Sequence, residues 1–92
     1  MKTSVKKQLL NRMNYLKGHL DGVRKMIEKN KYCIEILNQN LAVIAALNKV
    51  NELILENHLN SCVTTAIKSN NEKARRKVIK ELLAVFKARH EI

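Results

Sequence analysis

A chain of 92 residues is expected to form one domain, residues 1–92, and a chain this small buries only about 60% of the surface its unfolded form exposes. With 46% hydrophobic residues but 3% aromatic ones, its core must be aliphatic, which favours an all-α protein held by Leu, Ile, Val and Ala seams. No segment approaches the roughly 18 apolar residues of a membrane span, and there is no Gly-rich phosphate loop, no internal repeat and no low-complexity tract.

The net charge of +10 is unevenly placed: residues 1–31 carry nine Lys/Arg against two acids, residues 32–71 two against three, and residues 72–92 seven against three. Basic ends flanking a nearly neutral middle attract a polyanion, and nucleic acid is the usual one. The N-terminal MKTSVKKQLL lacks the apolar run of a signal peptide, so the expectation is a cytosolic protein without a membrane partner, its two cysteines kept as thiols.

Taking the elements in order, Thr3 or Ser4 is placed to cap a first helix running to about Lys29. Along it Leu9, Met13, Leu16, Leu20, Val23 and Ile27 alternate in steps of four and three, a heptad seam suited to antiparallel packing on the second helix. Lys6, Lys7, Arg12, Lys17, Arg24 and Lys25 occupy its other faces. A solvated basic face is the bland reading; the excess of positive charge favours a phosphate-contacting one. Gly18 and Gly22, the only glycines, each cost about 1 kcal/mol relative to Ala inside a helix, and their spacing is read as room for another backbone to pack closely. Asn30, able to take the left-handed conformation, ends the helix.

The second helix, from Tyr32 to about Lys68, contains neither Pro nor Gly and reads as uninterrupted. It carries Cys33, His58 and Cys62. At about 100° and 1.5 Å per residue, Cys33 to His58 is close to seven turns and Cys33 to Cys62 close to eight, so all three share one face. Along the axis, though, Cys33 and His58 stand roughly 37 Å apart. A second copy running antiparallel would bring its Cys33 beside this chain's His58 and Cys62, giving a ligand set complete only between subunits. Singly, a cysteine on an apolar face is usually a small buried hydrophobe and a lone histidine usually structural; their common phase favours a site. Two thiolates and one imidazole form a soft, three-coordinate set that suits Cu(I), whereas zinc normally takes a fourth ligand. His19 and His90 fall out of phase and are read as surface residues.

Ser69-Asn70-Asn71-Glu72 has the Ser-x-x-Glu pattern of a capping box and opens a third helix to about Arg89. Val78, Ile79, Leu82, Leu83 and Phe86 are placed on one face; Arg75, Arg76, Lys77, Lys80, Lys87 and Arg89 decorate the rest. No Ser/His/Asp grouping appears and acids are sparse, so neither an enzyme nor a small-molecule substrate is expected.

The segments YCIEILNQNLAVIAAL, ENHLNSCV, AIKS and ELLAVFK, with Arg12, Gly18, Gly22 and Arg24, resemble the copper-sensitive operon repressor family (CsoR/RcnR-like) over nearly the whole chain. That resemblance implies three helices per protomer and an antiparallel dimer with a four-helix-bundle core, pairing into a tetramer. It also implies that the apo form binds operator DNA without a helix-turn-helix and releases it on effector binding. In the copper branch the ligands fall on Cys33 of one protomer with His58 and Cys62 of the other. The residues that orient the imidazole and couple it to the third helix fall on Tyr32 and, allowing for three extra residues after Cys62, Glu81. Nickel and cobalt sensors of the family use a further N-terminal His, where Met1 or thereabouts stands here. Formaldehyde sensors lack the final Cys, and persulfide sensors use the cysteines without the His. Keeping all three donors favours copper. Asp21 and Ile44 stand where the family commonly has basic or polar residues, and Asn14-Tyr15 is less basic than its usual pattern.

The reading is thus a Cu(I)-responsive repressor, with Lys6, Lys7, Arg12, Lys17, Arg24, Arg75 and Arg76, helped by Lys73, on operator DNA. The alternatives are a thiol or persulfide sensor or a nickel repressor of the same family, and a basic helical scaffold protein whose cysteines are incidental.

Overall fold

The structure, a computed structural model, describes residues 1–90 without the side chains of Arg89 and His90; the expectations placed on those two side chains fall outside the described residues. Every regular element among them is helical: α1 (Thr3–Glu28), α2 (Cys33–His58), a π turn (Leu59–Val63), α3 (Thr64–Lys68) and α4 (Glu72–His90). The expected second helix is thus α2, the π turn and α3 in succession. The three-helix, all-α expectation holds, with this one modification.

Helix α1 starts one residue earlier than a Thr3 cap requires and two earlier than a Ser4 cap does. Lys2 is the extended N-cap residue (φ −65°, ψ 148°) and no side chain caps the helix, because Thr3 is already helical. Its C-terminus ends as Asn30 was expected to end it. Asn30 takes φ 55°, Lys31 N–H donates to Met26 C=O at 3.0 Å and Asn30 N–H to Ile27 C=O at 3.1 Å. These are the two reversed bonds of a Schellman motif, which satisfy carbonyls the helix leaves open.

The chain divides into two compact units, Met1–Leu55 and Glu56–Ile92. In the first, α1 packs on α2 through Leu9, Leu16, Val23, Val43 and Val50, with Val5, Ile36, Ala46 and Leu53 against them. The seven-residue steps are the heptad repeat at work. Only half of the expected seam is buried, however: Met13, Leu20 and Ile27 remain 44%, 54% and 59% exposed. A single neighbouring helix covers one narrow stripe, and these three lie beside it. His19 is not simply a surface residue. Half-buried, it pairs through Nε2 with Gln39 Oε1 at 2.9 Å, tying α1 to α2, while the Tyr15 ring meets it edge-on at 6.5 Å. The close packing expected at Gly18 and Gly22 is not made within the protomer, since a Cβ at either would meet nothing within 4 Å.

In the second unit Val63 is buried and α4 packs against α3. Ala74, Val78 and Leu82, four residues apart, are the half-buried positions of α4, whereas Ile79, Leu83 and Phe86 are exposed. The expected capping box does not form. Asn71 caps α4 instead, its Oδ1 accepting the Ala74 N–H at 3.2 Å. Ser69 Oγ donates back to Ala66 C=O at 2.6 Å, and Glu72 pairs with Arg76 at 2.7 Å. Because α4 begins at Glu72, it is Asn71 that occupies the cap position, three residues before the Ala74 amide it accepts from.

Candidate metal centre

Cys33 is the first residue of α2, exposed and unbonded, preceded by an exposed Tyr32. His58 closes α2 and is half-buried. Cys62 is a free, exposed thiol inside the π turn. The stretch from Cys33 to His58 is α-helical throughout, as the seven-turn reckoning requires. Cys62 lies in the π turn, which takes more residues per revolution than an α-helix, so its step from His58 differs from the α-helical one.

The π turn has a local cause. Thr64 N–H donates to Leu59 C=O, five residues back, instead of to Asn60 C=O. Three hydroxyls then reach carbonyls of the same stretch: Ser61 Oγ to Asn57 C=O at 2.7 Å, Thr64 Oγ1 to Leu59 C=O at 2.5 Å and Thr65 Oγ1 to Ser61 C=O at 2.8 Å. Ser and Thr offer the backbone such alternatives to the regular ladder, and Val63, Thr64 and Thr65 in succession weaken the α-helix further. Sequence reasoning missed these three residues, although a Ser-x-x-Thr-Thr cluster inside a helix is the signal that marks them.

Among the described residues no group of three His, Cys, Asp or Glu side chains is assembled in one chain to hold an ion. The donor chemistry nevertheless fits a soft monovalent cation: two free thiols and one imidazole, with no disulfide consuming the sulfurs. Glu81 is exposed and hydrogen-bonds to nothing among the described residues, so the expected link to the imidazole is not made within the protomer.

The basic residues divide into two kinds. Lys6, Lys7, Arg12, Lys17, Lys73 and Arg75 are exposed and form no ion pair among the described residues. Arg12 stands at a groove of about 460 Å3 with Gln8, Asn11, Tyr15, Leu16 and Ala46. Arg24, by contrast, is held by Asp21 (3.1 Å) and Glu28, and Arg76 by Glu72. Asp21 also takes Lys25 at 3.3 Å; hydrogen bonds from Arg24 and then Lys25 hold its carboxyl below the ordinary value. Ile44 is exposed.

Residues 5–88 match the family described as "Metal-sensitive transcriptional repressor". This chain belongs to that family. It is 42% identical over 82 residues to the copper-sensing transcriptional repressor CsoR of Bacillus subtilis, covering 89% of this chain and 78% of that one. The crystal structure of the copper-sensing repressor CsoR with Cu(I) from Geobacillus thermodenitrificans superposes with a TM-score of 0.85 at 36% identity, over 96% of this chain and 88% of that one. The nickel-responsive transcriptional regulator InrS superposes with a TM-score of 0.75 at 39% identity, over 87% and 90%. The family is thus one of metal-sensing transcriptional repressors, regulators rather than enzymes. No helix of the described residues is long and apolar enough to cross a membrane.

Proposed function

We propose that this repressor is the copper-responsive kind: a single sensing and DNA-binding domain that holds operator DNA in its metal-free form and releases it on binding Cu(I). The observation that carries this reading is the donor set, two free thiols and the half-buried His58 imidazole, kept on a helix that is α-helical from Cys33 to His58. Cys33 of one protomer would join His58 and Cys62 of its partner in an antiparallel dimer, giving two sites per dimer. Likeness to copper-sensing CsoR proteins, one of them solved with Cu(I), supports the choice of ion. Bound there, Cu(I) supplies three soft bonds across the subunit boundary. Tyr32 and Glu81 would orient the imidazole by hydrogen bonding once two protomers pair.

DNA contacts we assign first to Lys6, Lys7, Arg12, Lys17 and Arg75, helped by Lys73. Arg24 and Arg76 join only where phosphate displaces the carboxylates that hold them. Dimers pairing into a tetramer would place several such basic ends on one duplex in the cytoplasm.

Anaerobic Cu(I) titration followed by X-ray absorption tests the reading. One ion per protomer with two sulfurs and one nitrogen is expected, together with operator release in a parallel anisotropy titration. Tight Cu(I) binding that leaves operator affinity unchanged overturns it. A nickel-responsive reading is favoured by the likeness to InrS, and the same operator titration with Ni(II) decides between the two metals.

A further inference from the structure

We infer that Ser61, Thr64 and Thr65 are positioning residues for the metal ligands: their hydroxyls hold the π turn, and the π turn sets where Cys62 stands relative to His58. The inference rests on the reading of His58 and Cys62 as ligands.

An α-helix overshoots a full revolution by about 40° over four residues, so an α-helical Cys62 would stand to one side of His58. A turn with more residues per revolution rotates each residue less and takes up that overshoot. The slip to a five-residue step interrupts the regular amide-to-carbonyl ladder, and Ser and Thr hydroxyls within reach can donate to its carbonyls. Here the exposed carbonyls of Asn57, Leu59 and Ser61 each accept from one of the three hydroxyls, at 2.7, 2.5 and 2.8 Å. These carbonyls bracket the ligand pair: Asn57 precedes His58, and Ser61 precedes Cys62. Ser61 Oγ also lies 3.8 Å from Cys62 Sγ. Its one hydrogen is within reach of two acceptors, Asn57 C=O and Cys62 Sγ. Removing the hydroxyls withdraws the donors that hold the wide turn, and the segment is expected to revert to the α-helical register.

The test uses the full chain and two triple variants, Ser61→Ala/Thr64→Val/Thr65→Val and the hydroxyl-retaining Ser61→Thr/Thr64→Ser/Thr65→Ser. Far-UV circular dichroism establishes that each is folded. In the metal-free proteins, backbone nuclear Overhauser contacts over residues 57–65 report the register. Cu(I) affinity is measured by competition with a chromophoric chelator, and the sulfur-to-nitrogen ratio by X-ray absorption. The hydroxyl-free variant is expected to show α-helical register and to lose about tenfold or more in Cu(I) affinity, as loss of residues that orient ligands typically does. Its His58 or Cys62 should also leave the ligand set. The hydroxyl-retaining variant is expected to keep both register and affinity. A hydroxyl-free variant that keeps the wide turn, or that changes register yet binds Cu(I) as tightly through the same ligands, overturns the inference while leaving the copper reading standing. Wild-type protein that binds no Cu(I) through His58 and Cys62 overturns both.

Discussion

Asp21 shows how one acid redistributes the charge of a basic helix. Its carboxylate takes Arg24 and Lys25, and Glu28 takes Arg24 from the other side, so two of the cations on α1 are already partnered before any phosphate arrives. Asp21→Asn is therefore expected to strengthen operator binding and to steepen its salt dependence by about one counterion, read as the slope of log affinity against log salt. An unchanged slope would show that Arg24 and Lys25 do not reach DNA. The same pair sets a pH dependence. Because the folded carboxyl titrates below its ordinary 3.8, its contribution is fully present above that value and is lost as pH falls through the lowered one. Acid titration of Asp21→Asn should lack this part of the loss, which solvent screening keeps small. At His58 the expectation is different in kind: His58→Ala should bind operator as the parent does without copper and lose the roughly 5–150-fold release such couplings produce. Release retained in that variant would point to a dithiol response through Cys33 and Cys62.

At the scale of elements, helix ends and interruptions follow from where open carbonyls and amides find partners. Asn30 holds φ 55° at the end of α1, a conformation that costs most side chains about 1–2 kcal/mol and glycine almost nothing. Asn30→Ala is expected to lower stability by about 1 kcal/mol and Asn30→Gly to leave it close to the parent, measured by urea unfolding. Equal loss in both would mean that the Asn side chain, and not the backbone angle, matters there. This end was legible in the sequence because Asn at a helix boundary has a specific conformational reason to be there. The cap of α4 was not. Ser69 and Glu72 have the right spacing for a capping box, but α3 ends within reach of Ser69, whose hydroxyl goes to Ala66 C=O, and the position that remains is taken by Asn71. Local pattern offered Ser69, and the nearness of another helix end left the cap to Asn71.

For the whole molecule, the protomer leaves uncovered much of the surface that its pattern marks as apolar. Ile34, Leu37, Leu41 and Ile44 step by three and four along α2 and are 50%, 55%, 59% and 49% exposed, away from the Val43 and Val50 side that meets α1. An apolar stripe of this extent marks an interaction surface, and a second protomer is the occupant the proposed ligand set calls for. Leu41→Glu is expected to convert the assembly to 10.6 kDa protomers in sedimentation velocity and, by removing Cys33 of the partner subunit, to weaken Cu(I) binding about tenfold or more. A variant that stays oligomeric would move the subunit contact elsewhere.

The sequence by itself determined that the chain is helical, roughly where its long helices lie, that its ends are basic and that three soft donors fall on one helical run. These are properties of period and composition, and each residue contributes to them independently of what lies across from it. Only the tertiary structure decided which half of the α1 seam is buried and which residue caps α4. Those outcomes depend on competition among donors, acceptors and apolar surfaces for the same neighbours, and neighbours exist only once the chain has folded.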